Sequence, residues 1–215
     1  MKKILFILFG APGSGKGYLG ECLRQEFLLQ KLAVEKDILY ISTGDLLRAE
    51  MAERTPLGLE ITETMNAGGY VSDDIVDALV KKALHRSEPI KFLDGYPRTF
   101  AQLQYLQQIL IGLNVEVIAV KRETPIPLIL ERVSQRRGCQ DCKTTHSVKD
   151  GKCPKCGGPS VIRADDALIN RRLTQYKNCT AGLWEDLAVM SSDWWLVDGT
   201  QDAVTMARRI LLSFL

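Results

Sequence analysis

The stretch that most limits the fold is KILFILFGAPGSGK, residues 3–16. Its apolar run is short and bounded by glycine, as in a strand buried on both faces of a parallel sheet. GAPGSGK then matches G-x-x-x-x-G-K, after a strand and before a helical pattern, the setting that gives this motif meaning. Gly10, Gly13 and Gly15 let the backbone turn tightly and aim N–H groups at phosphate oxygens. A helix starting near Gly15 adds the positive end of its dipole, and Lys16 adds a point charge. The general motif continues with Ser or Thr, whose hydroxyl helps hold Mg²⁺. Here Gly17 follows, and then the bulky Tyr18. The start of the chain also has the outline of a secretory signal. The strand reading is preferred, because cleavage there would remove the phosphate loop itself.

Strand-like runs recur at 3–9, 38–42, 90–94, 115–120 and 194–198, with helical patterns at 15–30, 100–111, 125–137, 167–190 and 201–214. This alternation predicts an α/β fold, a five-stranded parallel sheet flanked by helices, with ligands at the carboxyl ends of the strands. Residues 43–86 hold several helical stretches without a strand, and 138–164 hold cysteines, glycines and prolines with little apolar periodicity. Both read as excursions from a single core that spans 1–215. The net charge of +2 argues against a nucleic-acid partner held by bulk charge. No segment is apolar enough to span a membrane.

Four further motifs carry chemistry. In STGDLLR (42–48), Ser42, Thr43 or Asp45 can cap a helix, and Arg48 can clamp a phosphate. In FLDGYPRT (92–99), Asp94 ends a buried strand, where a carboxylate needs a charged partner such as hydrated Mg²⁺. Tyr96-Pro97 is a candidate cis peptide, and Arg98 can fork onto a phosphate. In ERVSQRR (131–137), Arg132 and Arg136 stand four apart, so one helical face would carry two cations that need an anion between them. IRADDALINRRL (162–173) gathers Arg163, Asp165, Asp166, Arg171 and Arg172. Cys139 and Cys142, then Cys153 and Cys156, form two C-x-x-C pairs, a strong signal for a closed tetrahedral zinc site in a reducing compartment. His146 is a less favoured substitute ligand. Cys22 and Cys179 lie in apolar-periodic segments and read as core residues, and His85 as a solvent-facing residue near a helix end.

Taken in order, the glycine loop, STGDLLR, LDGYPRT, the ERVSQRR helix, the Arg-x-Asp-Asp passage and VDGT (197–200) resemble adenylate kinases over nearly the whole chain. That resemblance implies a P-loop nucleoside-monophosphate-kinase fold with an AMP-binding insertion at 43–72 and a zinc-containing lid at 138–164. It implies transfer of a phosphoryl group from Mg-ATP to AMP, giving two ADP, by a cytoplasmic monomer. On that pattern Thr43, Arg48, Val71, Gly95, Arg98, Gln102, Arg163 and Arg172 would hold AMP. Gly13, Ser14, Gly15, Lys16, Gly17, Tyr18, Arg132, Arg136 and Gln201 would hold ATP. Lys16, Arg98, Arg136, Arg163 and Arg172 would serve the transferred group, and Asp94 would hold Mg²⁺ through water.

Two departures stand out. Tyr18 replaces the usual Thr, and the spacing from the paired aspartates to Arg172 is about two residues short. Either aspartate could anchor the lid and either Arg171 or Arg172 could face the phosphates, although Tyr176 after RRL favours Arg172. GTP as donor, a different acceptor base, a nucleotide-binding pseudoenzyme and a zinc-ribbon ATPase acting on nucleic acid are the alternatives.

Overall fold

Strands β1 (Ile4–Phe9), β2 (Ile38–Ser42), β3 (Ile90–Asp94) and β4 (Glu116–Glu123) precede three short ones, β5 (Arg137–Cys139), β6 (Thr145–His146) and β7 (Ser160–Val161), and a last long one, β8 (Asp193–Asp198). The long strands pair in parallel in the order β2-β3-β1-β4-β8. The computed structural model of the chain describes residues 2–66, 69–142, 145–147, 151–162 and 166–213.

β1 is buried on both faces, which is why its sequence shows no alternation. Phe6 and Leu8 pack with Leu19 and Leu23 of α1 (Lys16–Leu29) and with Ala207 and Ile210 of α9 (Ala203–Leu212). Leu5, Ile7 and Phe9 face the other way, against α4 (Asp73–Leu84), α5 (Phe100–Ile111) and α8 (Trp184–Met190) through Val80, Leu103 and Leu187. Each such side chain contributes roughly 1.5–3 kcal/mol by leaving water. The chain turns one way from β1 to reach β2 and the other way from β3 to reach β4. A crevice therefore opens at the carboxyl ends of β1 and β3. The register puts Leu8 and Ser42 on either side of Asp94 at that edge.

Between β2 and β3 lie α2 (Thr43–Glu53), α3 (Pro56–Asn66) and α4. Ser42 caps α2, its hydroxyl accepting from Asp45 N–H at 3.3 Å. His85 sits exposed at the end of α4. The cysteine segment builds a small antiparallel sheet, β6-β5-β7, which its composition did not announce. The Tyr96-Pro97 bond is cis. No helix among the described residues is long and apolar enough to cross a membrane.

Two expectations are corrected. The helix expected over 167–190 is divided into α7 (Ile169–Gln175), a π-helical turn (Tyr176–Thr180), a 3-10 turn (Ala181–Leu183) and α8. That π turn swings Cys179 to the surface, so it is exposed rather than a core residue. α6 (Ile126–Gln135) ends one residue before Arg136, whose ψ of 138° turns the following chain out of the helix. Each guanidinium has partners of its own: Arg132 bonds Ser14 O and Gly199 O, and Arg136 pairs with Asp166.

Candidate active site

Gly15 caps α1 at φ 86°, in the left-handed region that favours glycine, and so turns the loop onto the helix axis. Lys16 is the first residue of the helix. A Cβ at Gly17 would lie 2.8 Å from Asp94 Oδ2, so the carboxylate that ends β3 occupies the space a Ser or Thr would fill. The missing hydroxyl at position 17 thus has a steric cause. Tyr40 lies alongside: its hydroxyl donates to Gly17 O at 3.2 Å and approaches Asp94 Oδ2 at 3.5 Å. Burial, then Asp94, holds this phenol well above its ordinary pKa, so it stays a neutral donor. Ser14 Oγ is buried inside the loop with no hydrogen-bond partner among the described residues. Tyr18 is 63% exposed.

Lys16 Nζ stands 4.0 Å from Asp94 Oδ1 and donates to Ala11 O at 3.4 Å. Arg48, Arg98, Arg136 and Arg172 line the same cavity. Burial lowers the Lys16 pKa to about 8; Asp94 opposes that shift, while Arg98, Arg172 and Arg136 add to it. Arg98 is likewise lowered, chiefly by burial. Even with Asp45 paired to Arg48 and Asp166 to Arg136, the five cations outnumber the carboxylates beside them, and a polyanion is the ligand that relieves the excess.

Arg98 is fixed by the β3–α5 turn. Its Nε donates to Gly95 O at 2.7 Å and its Nη2 to Thr43 Oγ1 at 3.3 Å. Thr43 Oγ1 itself donates to Gly95 O at 3.0 Å. Gln102 Oε1 accepts from Arg98 N–H and Nε2 donates to Asp73 Oδ1, at 2.8 and 2.7 Å. That leaves the Gln102 amide one hydrogen and one lone pair for a ligand. Val71 lines the cavity as well. Arg48 pairs with Asp45 at 2.6 Å.

Arg132 lies on the other flank of the loop, donating to Ser14 O at 3.3 Å and to Gly199 O at 2.9 Å, close to Gln201. Arg136 makes a two-pronged pair with Asp166, its Nε donating to Oδ2 at 2.9 Å. Arg172 reaches the cavity, whereas Arg171 is exposed. Arg163 and Asp165 lie outside the described residues.

Comparison with known proteins fits this geometry. The family model for adenylate kinase matches residues 8–188. The chain belongs to the adenylate kinase family. A relative named adenylate kinase in Symbiobacterium thermophilum is 39% identical over 188 residues, covering 82% of this chain and 83% of its own length. One of the same name in Carboxydothermus hydrogenoformans is 35% identical over 206 residues, with 91% and 92% covered. A third, from Chlamydia felis, is 33% identical over 189 residues, with 85% and 84% covered.

This member of the adenylate kinase family also places residues at the site that motif reading passed over. The Tyr70 ring lies 5.3 Å from the Arg98 guanidinium, in cation–π range, and its hydroxyl meets Thr180 Oγ1 at 3.2 Å. Thr180 donates to Arg98 O at 2.8 Å, so the π turn ties α7 to the β3–α5 turn. The signal for Tyr70 was its place beside Val71, but nothing in the sequence marks Thr180. Arg122 was legible by strand period, since it shares a face with Ile118 and Val120 and is only 3% exposed.

In the cysteine segment the ligand atoms of Cys139, Cys142, Cys153 and Cys156 all lie within 4.8 Å of one another. The pairs Cys139–Cys156 and Cys142–Cys153 are 3.5 Å apart, too far for disulfides and near the roughly 3.8 Å between sulfurs on a tetrahedral zinc. Lys155 N–H donates to Cys153 Sγ at 3.4 Å. The donor set fits Zn²⁺ with no position left open, so a metal here would hold structure. His146 bonds Ser160 Oγ at 2.7 Å and is not one of the four grouped ligands.

Proposed function

We propose that this protein is a working adenylate kinase, moving the terminal phosphoryl group of Mg-ATP to AMP and yielding two ADP. The observation that carries this is the ring of Lys16, Arg98, Arg136 and Arg172 around Asp94, at the carboxyl ends of β1 and β3. An oxygen of the AMP phosphate attacks the γ-phosphorus, and the bond from that phosphorus to the β-bridging oxygen breaks. The charge stays on oxygens throughout, so the chain need supply only position and positive charge. No general base is required, because the attacking oxygen is already anionic.

Arg98 and Arg48 would hold the AMP phosphate, with Thr43, Gly95, Val71 and Gln102 around the nucleoside. The glycine loop from Gly13 to Tyr18 and Arg132 would take the donor, with the backbone at Gln201 beside its base. Lys16, Arg136, Arg172 and Arg163 would neutralise the group in flight. Mg²⁺ bound to ATP would offset charge on the β and γ oxygens, and Asp94 would hold it through water. Residues 43–72 would form the AMP-side insertion and 138–164 a lid stiffened by zinc. Cysteine sulfurs 3.5 Å apart, rather than bonded as disulfides, suit a reducing, cytoplasmic setting. We read the chain as a monomer acting on ATP, AMP and ADP, with no nucleic-acid partner.

A coupled assay for ADP from ATP plus AMP tests this, with GTP replacing ATP and CMP, UMP or GMP replacing AMP. Preference for ATP and AMP supports the reading. No product from any pair, with nucleotide binding intact, would leave a pseudoenzyme.

A further inference from the structure

Arg122 is a buried cation that the proposed chemistry does not use. It projects from β4 toward α1 and is 3% exposed. Its Nη2 donates to Gly199 O at 3.2 Å and Gln201 O at 3.0 Å, and its Nη1 reaches Gly15 O at 3.5 Å. The Nε–H is buried with no partner among the described residues. No carboxylate forms an ion pair with it there. Arg132, which shares the Gly199 carbonyl, adds a second cation. Asp198 and Asp202, in and beside the same turn, act on it only from a distance. A buried charge held directly by carbonyls, with no carboxylate in contact among the described residues, is costly, and an arginine serving only as packing would be better replaced by an apolar side chain.

The position of this charge says what completes it. A Cβ on Gly15 would lie 3.7 Å from Arg122 Nε, Nη1 and Cζ, so the guanidinium lies against the residue that caps α1. Lys16 and Asp94 lie on one side of the loop, toward the reacting end. Arg122, Arg132 and the 199–201 turn lie on the other side. A phosphate chain that followed the loop from the first side toward the 199–201 turn would come alongside the Arg122 guanidinium.

We propose that Arg122 is a positioning residue for the donor nucleotide: it ties the glycine loop to the 199–201 turn, and its counter-charge is the donor's polyphosphate. It acts through Gly15 and the turn. This rests on the donor side assigned above, and it predicts selectivity: Arg122 serves the donor and not AMP.

The test is nucleotide binding by calorimetry, ATP and AMP each alone, to the intact protein and to Arg122→Met and Arg122→Lys. Arg122→Met should weaken ATP at least tenfold and leave AMP within twofold, and Arg122→Lys should recover most of the loss. In turnover the donor KM should rise while kcat stays within about threefold. Unchanged ATP affinity, or equal weakening of ATP and AMP as a merely structural role would give, overturns the proposal. Should Arg122→Met not fold, the Arg122 Nε–H resonance of the unaltered protein decides. It should shift with ATP and with inorganic tripolyphosphate but not with AMP, and no shift with ATP overturns the proposal. Binding is the primary readout, so absent ADP formation would sink the proposed function while leaving this test standing.

Discussion

Gly17 and Asp94 exclude each other's side chains: a Cβ on the glycine would come within 2.8 Å of the carboxylate oxygen. The hydroxyl expected after the loop lysine is therefore absent because the strand-end acid stands in its place, 4.0 Å from Lys16. Gly17→Ser should displace Asp94 and lower kcat/KM at least tenfold, with a higher Mg²⁺ requirement. Tyr18→Thr should act differently, because Tyr18 is 63% exposed. Its effect should stay within roughly 1–3 kcal/mol, seen as a modest change in ATP affinity with activity retained. Steady-state kinetics over a Mg²⁺ series checks both. Full activity in Gly17→Ser, or a rise from none to full in Tyr18→Thr, would contradict the assignment.

The buried Lys16, lowered to about 8, makes ATP binding depend on pH. Phosphate favours the charged amine, so binding at pH 8–9 should take up a proton. Affinity should fall as pH rises through about 8, approaching tenfold per unit above it. The same shift affects stability. Between about 8 and the ordinary 10.5 the unfolded chain binds more protons at this site, so the nucleotide-free protein gains stability from it as pH rises through that window. Calorimetry in two buffers of different ionisation heat reads the proton uptake, which Lys16→Met should abolish.

Arg171 and Arg172 are adjacent, but only Arg172 faces the cavity. Arg172→Ala should cost on the order of 10³ or more in kcat, and Arg171→Ala less than about threefold. Single-turnover rates at saturating nucleotide separate the two. Equal losses would show that the helix presents both.

Chemical analysis of freshly reduced protein should find one zinc per chain. Cys142→Ser should lose it and lower the melting temperature of the small β6-β5-β7 sheet, since a segment so poor in apolar side chains draws its folding energy from the metal. The parallel sheet should keep its structure. Full zinc content in the variant would rule out the four-thiol site.

Much of the fold could be read from local pattern. The double-sided burial of β1 appears as an unbroken apolar run, and the glycine loop as a motif with strand and helix in place. The expected strand stopped at 120, where the apolar run ends, whereas pairing with Leu196, Val197 and Asp198 keeps Lys121, Arg122 and Glu123 extended. Helical spacing says nothing about where a helix stops: the backbone turns after Arg136, and Asp166 captures its guanidinium. Cys179 and Thr180 were hidden for a related reason. A π turn shifts the helical phase, so apolar periodicity assigned Cys179 the wrong face and gave no sign of Thr180. The cysteine cluster needed no three-dimensional information beyond its spacing.

The central claim is direct transfer between two nucleotides, and ATP labelled at the γ-phosphorus tests it most directly. With AMP and Mg²⁺ present, the label should appear in the β-position of ADP made from AMP, one for each ATP consumed, with negligible inorganic phosphate. Label released as inorganic phosphate, at a rate indifferent to AMP, would contradict it and identify the cation ring as the site of a hydrolase.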